Sequence, residues 1–226
     1  MSFKALVVDI DATITHKDRR LNLKAAELLH SLKVPVVLAT GNVLCYARAA
    51  AKLIGIEVAV IAENGGVVAV GYDSKPFVSD KLEECKKAFL YLSKHYDLTK
   101  LDPELRKTEI ALRRDFDIEK ARKLLSTQGF GVELIDTKYA IHIKSNKINK
   151  GIGLEKIAGL MGFETTDFVA IGDSENDVEM IRSAGFGIAV ANGDEEAKSS
   201  ADLVTKASFG DGVVEAIEYL QSKGWL

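Results

Sequence analysis

The sequence predicts an α/β protein: a doubly wound, Rossmann-like parallel sheet carrying a smaller inserted α+β cap domain. Three observations lead there. Short apolar runs alternate with amphipathic stretches near both ends of the chain, as strand and helix do in a doubly wound sheet. That rhythm breaks in the middle, where apolar and polar residues alternate like half-exposed strands. Finally, 226 residues, 47% of them hydrophobic, suffice for one substantial core and a smaller second one.

In order, residues 4–9 form a Val-rich run ending in acids, which suits a parallel strand buried on both faces. A helical pattern covers 22–32, a second buried strand 35–39, and a turn follows at Thr40, Gly41 and Asn42. Another helix runs to about residue 53, and a third strand occupies 58–62. After the Gly65–Gly66 turn and a short run at 67–70 the pattern changes: a long amphipathic helix at 80–96, a strand at 107–113, a helix at 118–127, then strands at 131–135 and 139–144. The first rhythm resumes with a helix at 151–161, a strand at 168–171, an acidic loop at 172–177, a helix to about 183 and a strand at 187–190. An edge strand at 202–205 and a helix at 212–223 close the chain. The domains are therefore 1–79 and 150–226 for the core and 80–149 for the insert.

Composition excludes several classes. Net charge is −3 and the basic residues are scattered, so no Lys/Arg stripe provides an electrostatic footprint for nucleic acid. The apolar runs at 34–39 and 58–62 fall far short of the roughly 20 residues that span a bilayer. The N-terminal run reaches Asp9 and Asp11 too soon for a secretory signal, so a cytoplasmic protein is expected. Cys45 and Cys85 are too few for a disulfide framework and stand in no CxxC spacing, and both read as reduced packing residues.

The chemistry concentrates at strand ends. Asp9 and Asp11 stand two apart where a buried strand finishes, so both side chains aim toward the carboxyl edge of the sheet, where α/β folds place ligands. Two carboxylates this close repel, and a divalent cation is the usual remedy; two solvated acids opening a loop are the alternative. Gly172, Asp173, Ser174, Glu175, Asn176 and Asp177 add a second acidic strand end, where Asp173 is placed to help hold a hard cation such as Mg²⁺. Asp177 and Asn176 serve equally well as helix caps. Thr40, Gly41 and Asn42 open a helix whose positive end suits phosphate, although ordinary turn and cap chemistry explains them too. Lys150 also opens a helix and can offset phosphate charge; a lone Lys is more often solvated.

Taken in order, Asp9–Ile10–Asp11–Ala12–Thr13, Thr40–Gly41–Asn42, Lys150, and Gly172–Asp173 with Asp177 resemble the four motifs of the haloacid dehalogenase superfamily. Glu63–Asn64–Gly65–Gly66 and Ala189–Val190–Ala191–Asn192 are similar to the branch that includes Cof-type sugar phosphatases and sucrose phosphatases, so the resemblance covers essentially the whole chain. The compact insert looks most like that of archaeal-type phosphoglycolate phosphatases. The resemblance implies a Mg²⁺-dependent phosphomonoester hydrolase acting on a small phosphorylated metabolite, 2-phosphoglycolate before a sugar phosphate. It implies that Asp9 is the nucleophile and Asp11 the acid and base. Asp9, Asp11 (through its carbonyl), Asp173 and Asp177 would hold the metal, and Thr40, Gly41, Asn42 and Lys150 would bind the phosphoryl group. Caps of this kind often pair, which makes a homodimer the expectation. One departure stands out: the branch usually has Gly where this chain has Ala12, and Ala takes positive φ less freely, so a slightly altered turn is expected.

Three other functions compete with this one. A phosphomutase would use the same Asp9 but generally needs a larger cap. A silent binding protein would be favoured by loss of Asp9 or Asp11, and both are present. A cysteine phosphatase needs Arg six residues after its Cys, and Ala51 stands there after Cys45. Basic residues of the insert, Arg106 among them, are candidates to hold a substrate carboxylate. Arg106, Lys107, Arg113 and Arg114 are equally well explained as solvated charges, which is the simpler reading for most of them.

Overall fold

The protein is described by a computed structural model covering residues 2–226. Strand β1 (Ala5–Asp9) lies near the middle of an eight-stranded sheet. Beside it on one flank stand β2 (Val36–Ala39), β3 (Ala59–Ala62), β4 (Val67–Val70) and β5 (Phe77–Val78). On the other flank stand β10 (Phe168–Gly172), β11 (Phe186–Ala189) and β12 (Leu203–Val204). Strands β12 to β3 run parallel, with Val7 opposite Ala170 and Val8 opposite Leu38, and β4 and β5 finish the sheet antiparallel.

The central strands are apolar on both faces because both are covered. Leu6 and Val8 share one core cluster with α1 (Leu23–Ser31), α2 (Leu44–Ile54) and α8 (Phe209–Ser222), whereas Ala5 and Val7 face α5 (Lys150–Met161) and α6 (Val178–Ser183). The short helix α7 (Glu195–Ser200) packs near β11. The chain leaves β1 toward β2, and β10 later joins the opposite side. The crevice between the carboxyl ends of β1 and β10 is therefore a topological switch point, where such sheets bind ligands. No helix among the described residues is long and apolar enough to cross a membrane.

A separate four-stranded antiparallel sheet, in the order β6 (Lys100–Leu101), β7 (Ile110–Leu112), β9 (Ile141–Ser145), β8 (Val132–Asp136), packs under α3 (Leu82–Leu92) and α4 (Ile118–Ser126). Its apolar core is its own, built on Cys85, Leu92, Leu112, Leu125, Ile141 and Ile143. Cys85 is thus the packing residue expected, but Cys45 is exposed, because it sits on the outward side of the first turn of α2.

Several boundaries differ from the sequence reading. The strand expected over 107–113 pairs only at Ile110–Leu112, because the backbone N–H groups of Lys107 and Thr108 donate instead to the buried Glu63 carboxylate at 2.8 to 3.1 Å. Helix α3 is shorter at both ends than the 80–96 pattern suggested. The turn after β1 carries Ala12 in an unusual backbone conformation. That residue adopts φ +64, the left-handed conformation a glycine would take, held by Thr15 Oγ1 accepting from its N–H at 2.9 Å and Asn192 Nδ2 donating to its carbonyl at 2.9 Å. An L-residue there costs about 1–2 kcal/mol, which those bonds offset.

The chain enters and leaves the inserted sheet beside one turn. Ser79 N–H donates to the Gly66 carbonyl at 2.9 Å. Gly65 (φ +102) lies against Asn149, where an added Cβ would stand 2.0 Å from the backbone oxygen. Gly65→Ala therefore combines a steric clash with an unfavourable φ. It should lower stability by about 2–4 kcal/mol, seen as a lower urea midpoint at unchanged m-value; a midpoint within error of the parent would refute this account of the turn.

Candidate active site

The site is assembled from strand ends and one helix start. Asp9, the last residue of β1, is 4% exposed. Lys150, the first residue of α5, is fully buried; Asn149 caps that helix, its side chain accepting from Ile152 N–H at 2.8 Å. The Lys150 ammonium sits between Asp9 and Asp177, donating to one oxygen of each at 2.6 Å. Burial opposes its charge, but the two carboxylates outweigh burial and hold its pKa above the usual lysine value.

The two oxygens of Asp177 have different partners. Its Oδ2 accepts the backbone N–H groups of Asp173 and Ser174 at 3.0 and 3.1 Å, an N-terminal capping arrangement, while Oδ1 faces Lys150. Asn176 does not cap the backbone. It donates to Asn64 Oδ1 at 2.9 Å.

Asp173 follows β10, accepts from Thr13 Oγ1 at 3.1 Å and lies 3.5 Å from Lys138 Nζ. Burial, reinforced by Asp177, pushes its pKa up to about 7, and burial raises Asp9 well above its ordinary value despite Lys150. Carboxylate oxygens of Asp9, Asp173 and Asp177 lie within 4.8 Å of one another. Hard oxygen donors crowded with less positive charge than they need are what a Mg²⁺ ion suits, so these residues fit that metal. The carboxylate of Asp11 is outside this triad and is held by Arg19, whose Nε and Nη2 lie 3.1 and 3.0 Å from its Oδ1.

Thr40 follows β2 and is buried, its hydroxyl accepting from Asn42 N–H at 3.0 Å. Gly41 packs so closely on Asn64 that a Cβ would meet its Oδ1 at 3.0 Å, and its carbonyl accepts from Arg106 Nη1 at 3.0 Å. A cavity of about 350 Å³ separates these strand ends from the inserted sheet, lined by Asp9, Asp11 and Asp173 below and by Arg106, Tyr139 and His142 above.

The sequence reading missed most of that upper wall. Glu109 and His142 are buried and lie 2.7 Å apart; Glu109 also pairs with Arg106 Nη1 and accepts from Asn64 Nδ2 at 2.8 Å. Burial pushes Glu109 up, but His142 and Arg106 together outweigh it and hold this carboxyl below its ordinary value, so it is charged. Arg19 stacks on Tyr139, 4.6 Å from the ring centroid. Of the basic residues considered above, Arg113 and Arg114 are exposed at the side chain and pair with Asp115 and Asp136, as solvated charges do.

The model of the haloacid dehalogenase-like hydrolases matches residues 6–102 and 95–217. The chain therefore belongs to that family of hydrolases. It is 68% identical to the phosphoglycolate phosphatase of Methanosarcina mazei over 226 residues, covering 100% of both chains. It is 52% identical to the phosphoglycolate phosphatase of Archaeoglobus fulgidus over 96% of each. Among solved structures, a Thermoplasma acidophilum protein superposes with a TM-score of 0.88 at 23% identity, over 98% of this chain and 99% of that one. A family phosphatase from Bacteroides thetaiotaomicron superposes at 0.81 with 19% identity, over 100% and 96%. These two likenesses bear on the fold, including the inserted unit.

Proposed function

We propose that this hydrolase is a phosphoglycolate phosphatase, converting 2-phosphoglycolate and water to glycolate and phosphate through a phospho-aspartate on Asp9. The observation that carries the chemistry is the buried Lys150 ammonium shared between Asp9 and Asp177 at 2.6 Å, at the switch point of the sheet. The substrate is taken from the curated relatives, matched along 100% and 96% of their length.

In this reading the core is 1–79 with 150–226 and the cap 80–149. An Asp9 oxygen attacks phosphorus, the ester P–O bond breaks, and Asp11 gives its proton to the departing glycolate oxygen. Asp11 then takes a proton from water as the water oxygen attacks phosphorus and the P–O bond to Asp9 breaks, returning both residues to their starting states. Lys150, the Thr40 hydroxyl and the N–H groups that open α2 offset charge on the phosphoryl oxygens, since this transfer depends mainly on positioning and electrostatics. Asp9, Asp173, Asp177 and the Asp11 carbonyl would hold Mg²⁺, which supplies further positive charge to the phosphoryl group.

The direct test is phosphate release from 2-phosphoglycolate, several sugar phosphates and an aryl phosphate, with Mg²⁺ and then with chelator. Release should require the metal and be fastest on 2-phosphoglycolate. A sugar phosphate in first place would transfer the assignment to the sugar phosphatases, and transfer of phosphate to a second sugar position would make the protein a mutase.

A further inference from the structure

The geometry points to Arg106 as the residue that selects the substrate: its guanidinium receives the non-transferred carboxylate of a small phosphomonoester, and Glu109 positions it. This inference rests on the function proposed above and names the group that would give it specificity.

Four cationic or basic side chains face the cavity, Arg19, Arg106, Lys138 and His142, and their present partners separate them. Arg19 directs both Nε and Nη2 at Asp11. Lys138 is half-exposed at a hairpin tip and faces Asp173. His142 is occupied on both ring nitrogens, with Glu109 Oε1 2.7 Å from Nδ1 and Thr137 Oγ1 3.3 Å from Nε2. Arg106 is the buried one of the two arginines, and it is committed through Nη1 alone. Its side chain is 6% exposed, and Nη1 is committed to Glu109 and to the Gly41 carbonyl. Its Nε is buried with no acceptor among the described residues.

A buried donor without a partner is costly, and a guanidinium's fork geometry matches a carboxylate. The arrangement supplies what a second acidic group on the substrate needs. The Gly41 carbonyl ties Arg106 to the turn that follows Thr40, where the phosphoryl group would sit. The distance from phosphate to guanidinium is thereby set by one peptide segment, which suits a substrate whose carboxylate lies close to its ester oxygen. Glu109 offsets the arginine's charge in the empty protein and is itself fixed by His142 and by Asn64. Asp102, the acidic residue on this wall, is exposed, and it is its backbone carbonyl that accepts from Arg106 N–H at 3.2 Å.

The test compares kcat/KM for 2-phosphoglycolate with that for ethyl phosphate, which has similar size and no carboxylate, in the parent protein and in Arg106→Gln, Arg106→Lys and Glu109→Gln. The ratio between the two substrates should fall roughly 100-fold in Arg106→Gln, mainly through KM, because one charge-assisted contact is lost. It should fall less in Arg106→Lys, which keeps the charge without the fork. Glu109→Gln should shift the same ratio in the same direction, which a merely structural role would not do. A ratio preserved in Arg106→Gln and Arg106→Lys while the parent prefers 2-phosphoglycolate overturns the role of Arg106 alone. A parent that does not distinguish the two substrates overturns the phosphoglycolate reading, and this inference with it. Should Arg106→Gln fail to fold, Arg106→Lys carries the decision by the same ratio.

Discussion

Asp9→Asn should fold as the parent does and lose at least about 10⁴-fold in turnover, the order of loss that follows removal of a covalent nucleophile. The substitution is nearly isosteric, and Lys150 can still donate to the amide oxygen. Because burial already disfavours the charged form of Asp9, a neutral side chain relieves a desolvation cost and should leave stability within about 1 kcal/mol of the parent. The measurement is single-turnover phosphate release alongside a circular dichroism melt. Hydrolysis within about 100-fold of the parent rate would remove the covalent route, since a general base alone contributes about 10²–10⁴-fold.

Lys150→Met should be the most destabilising single change at the site. Removing one partner from a buried ion pair typically costs about 3–5 kcal/mol, because the carboxylates stay buried without compensation. At about 2–4 °C per kcal/mol for a chain of this length, the melting temperature should fall by roughly 10 °C, with turnover lost as well. Adding Asp177→Asn should recover part of the melting temperature, since it removes one of the stranded charges, but none of the turnover. A single variant melting within about 2 °C of the parent would mean that the ammonium contributes no net stability, and that packing of its aliphatic stem, which Met reproduces, is what holds α5 in place.

What the sequence disclosed and what it withheld divide along a physical line. Strands buried on both faces were readable because their residues are uniformly apolar, and β1, β2, β3 and β10 lie where expected within a residue. The two-residue strands β5 and β6 and the six-residue α7 were missed, because none is long enough to display a period. At the site, Asp9, Thr40, Lys150, Asp173 and Asp177 were visible because each belongs to a local signal, a strand end or a helix start. The contacts of Arg106, Glu109 and His142 were not, because they are tertiary. His142 meets Glu109 across 33 positions of sequence, and Asn64 meets Glu109 across 45. His142 stands between Ile141 and Ile143, where the alternation of apolar and polar residues assigns it to the open face of a half-exposed strand, and nothing local marks Glu109. Asn64 belonged to a recognisable four-residue stretch, but nothing in that stretch says that its amide spans from Glu109 to Asn176.

The two crossings beside Gly65 and Gly66 have a consequence for how readily such a protein can diverge. Ser79 and Asn149 both rest against that one turn, so the sheet sees everything between them as a single loop whose ends are already closed. Closure entropy grows only with the logarithm of loop length, about 0.6 kcal/mol for each doubling. Lengthening that segment therefore costs the underlying sheet little in closure so long as the bonds of Lys107 and Thr108 to Glu63 are kept, and it rebuilds the upper wall of the cavity. The acidic strand ends and the upper wall of the cavity thus belong to separate parts of the chain, and on the function proposed above the second can change in length without moving the first.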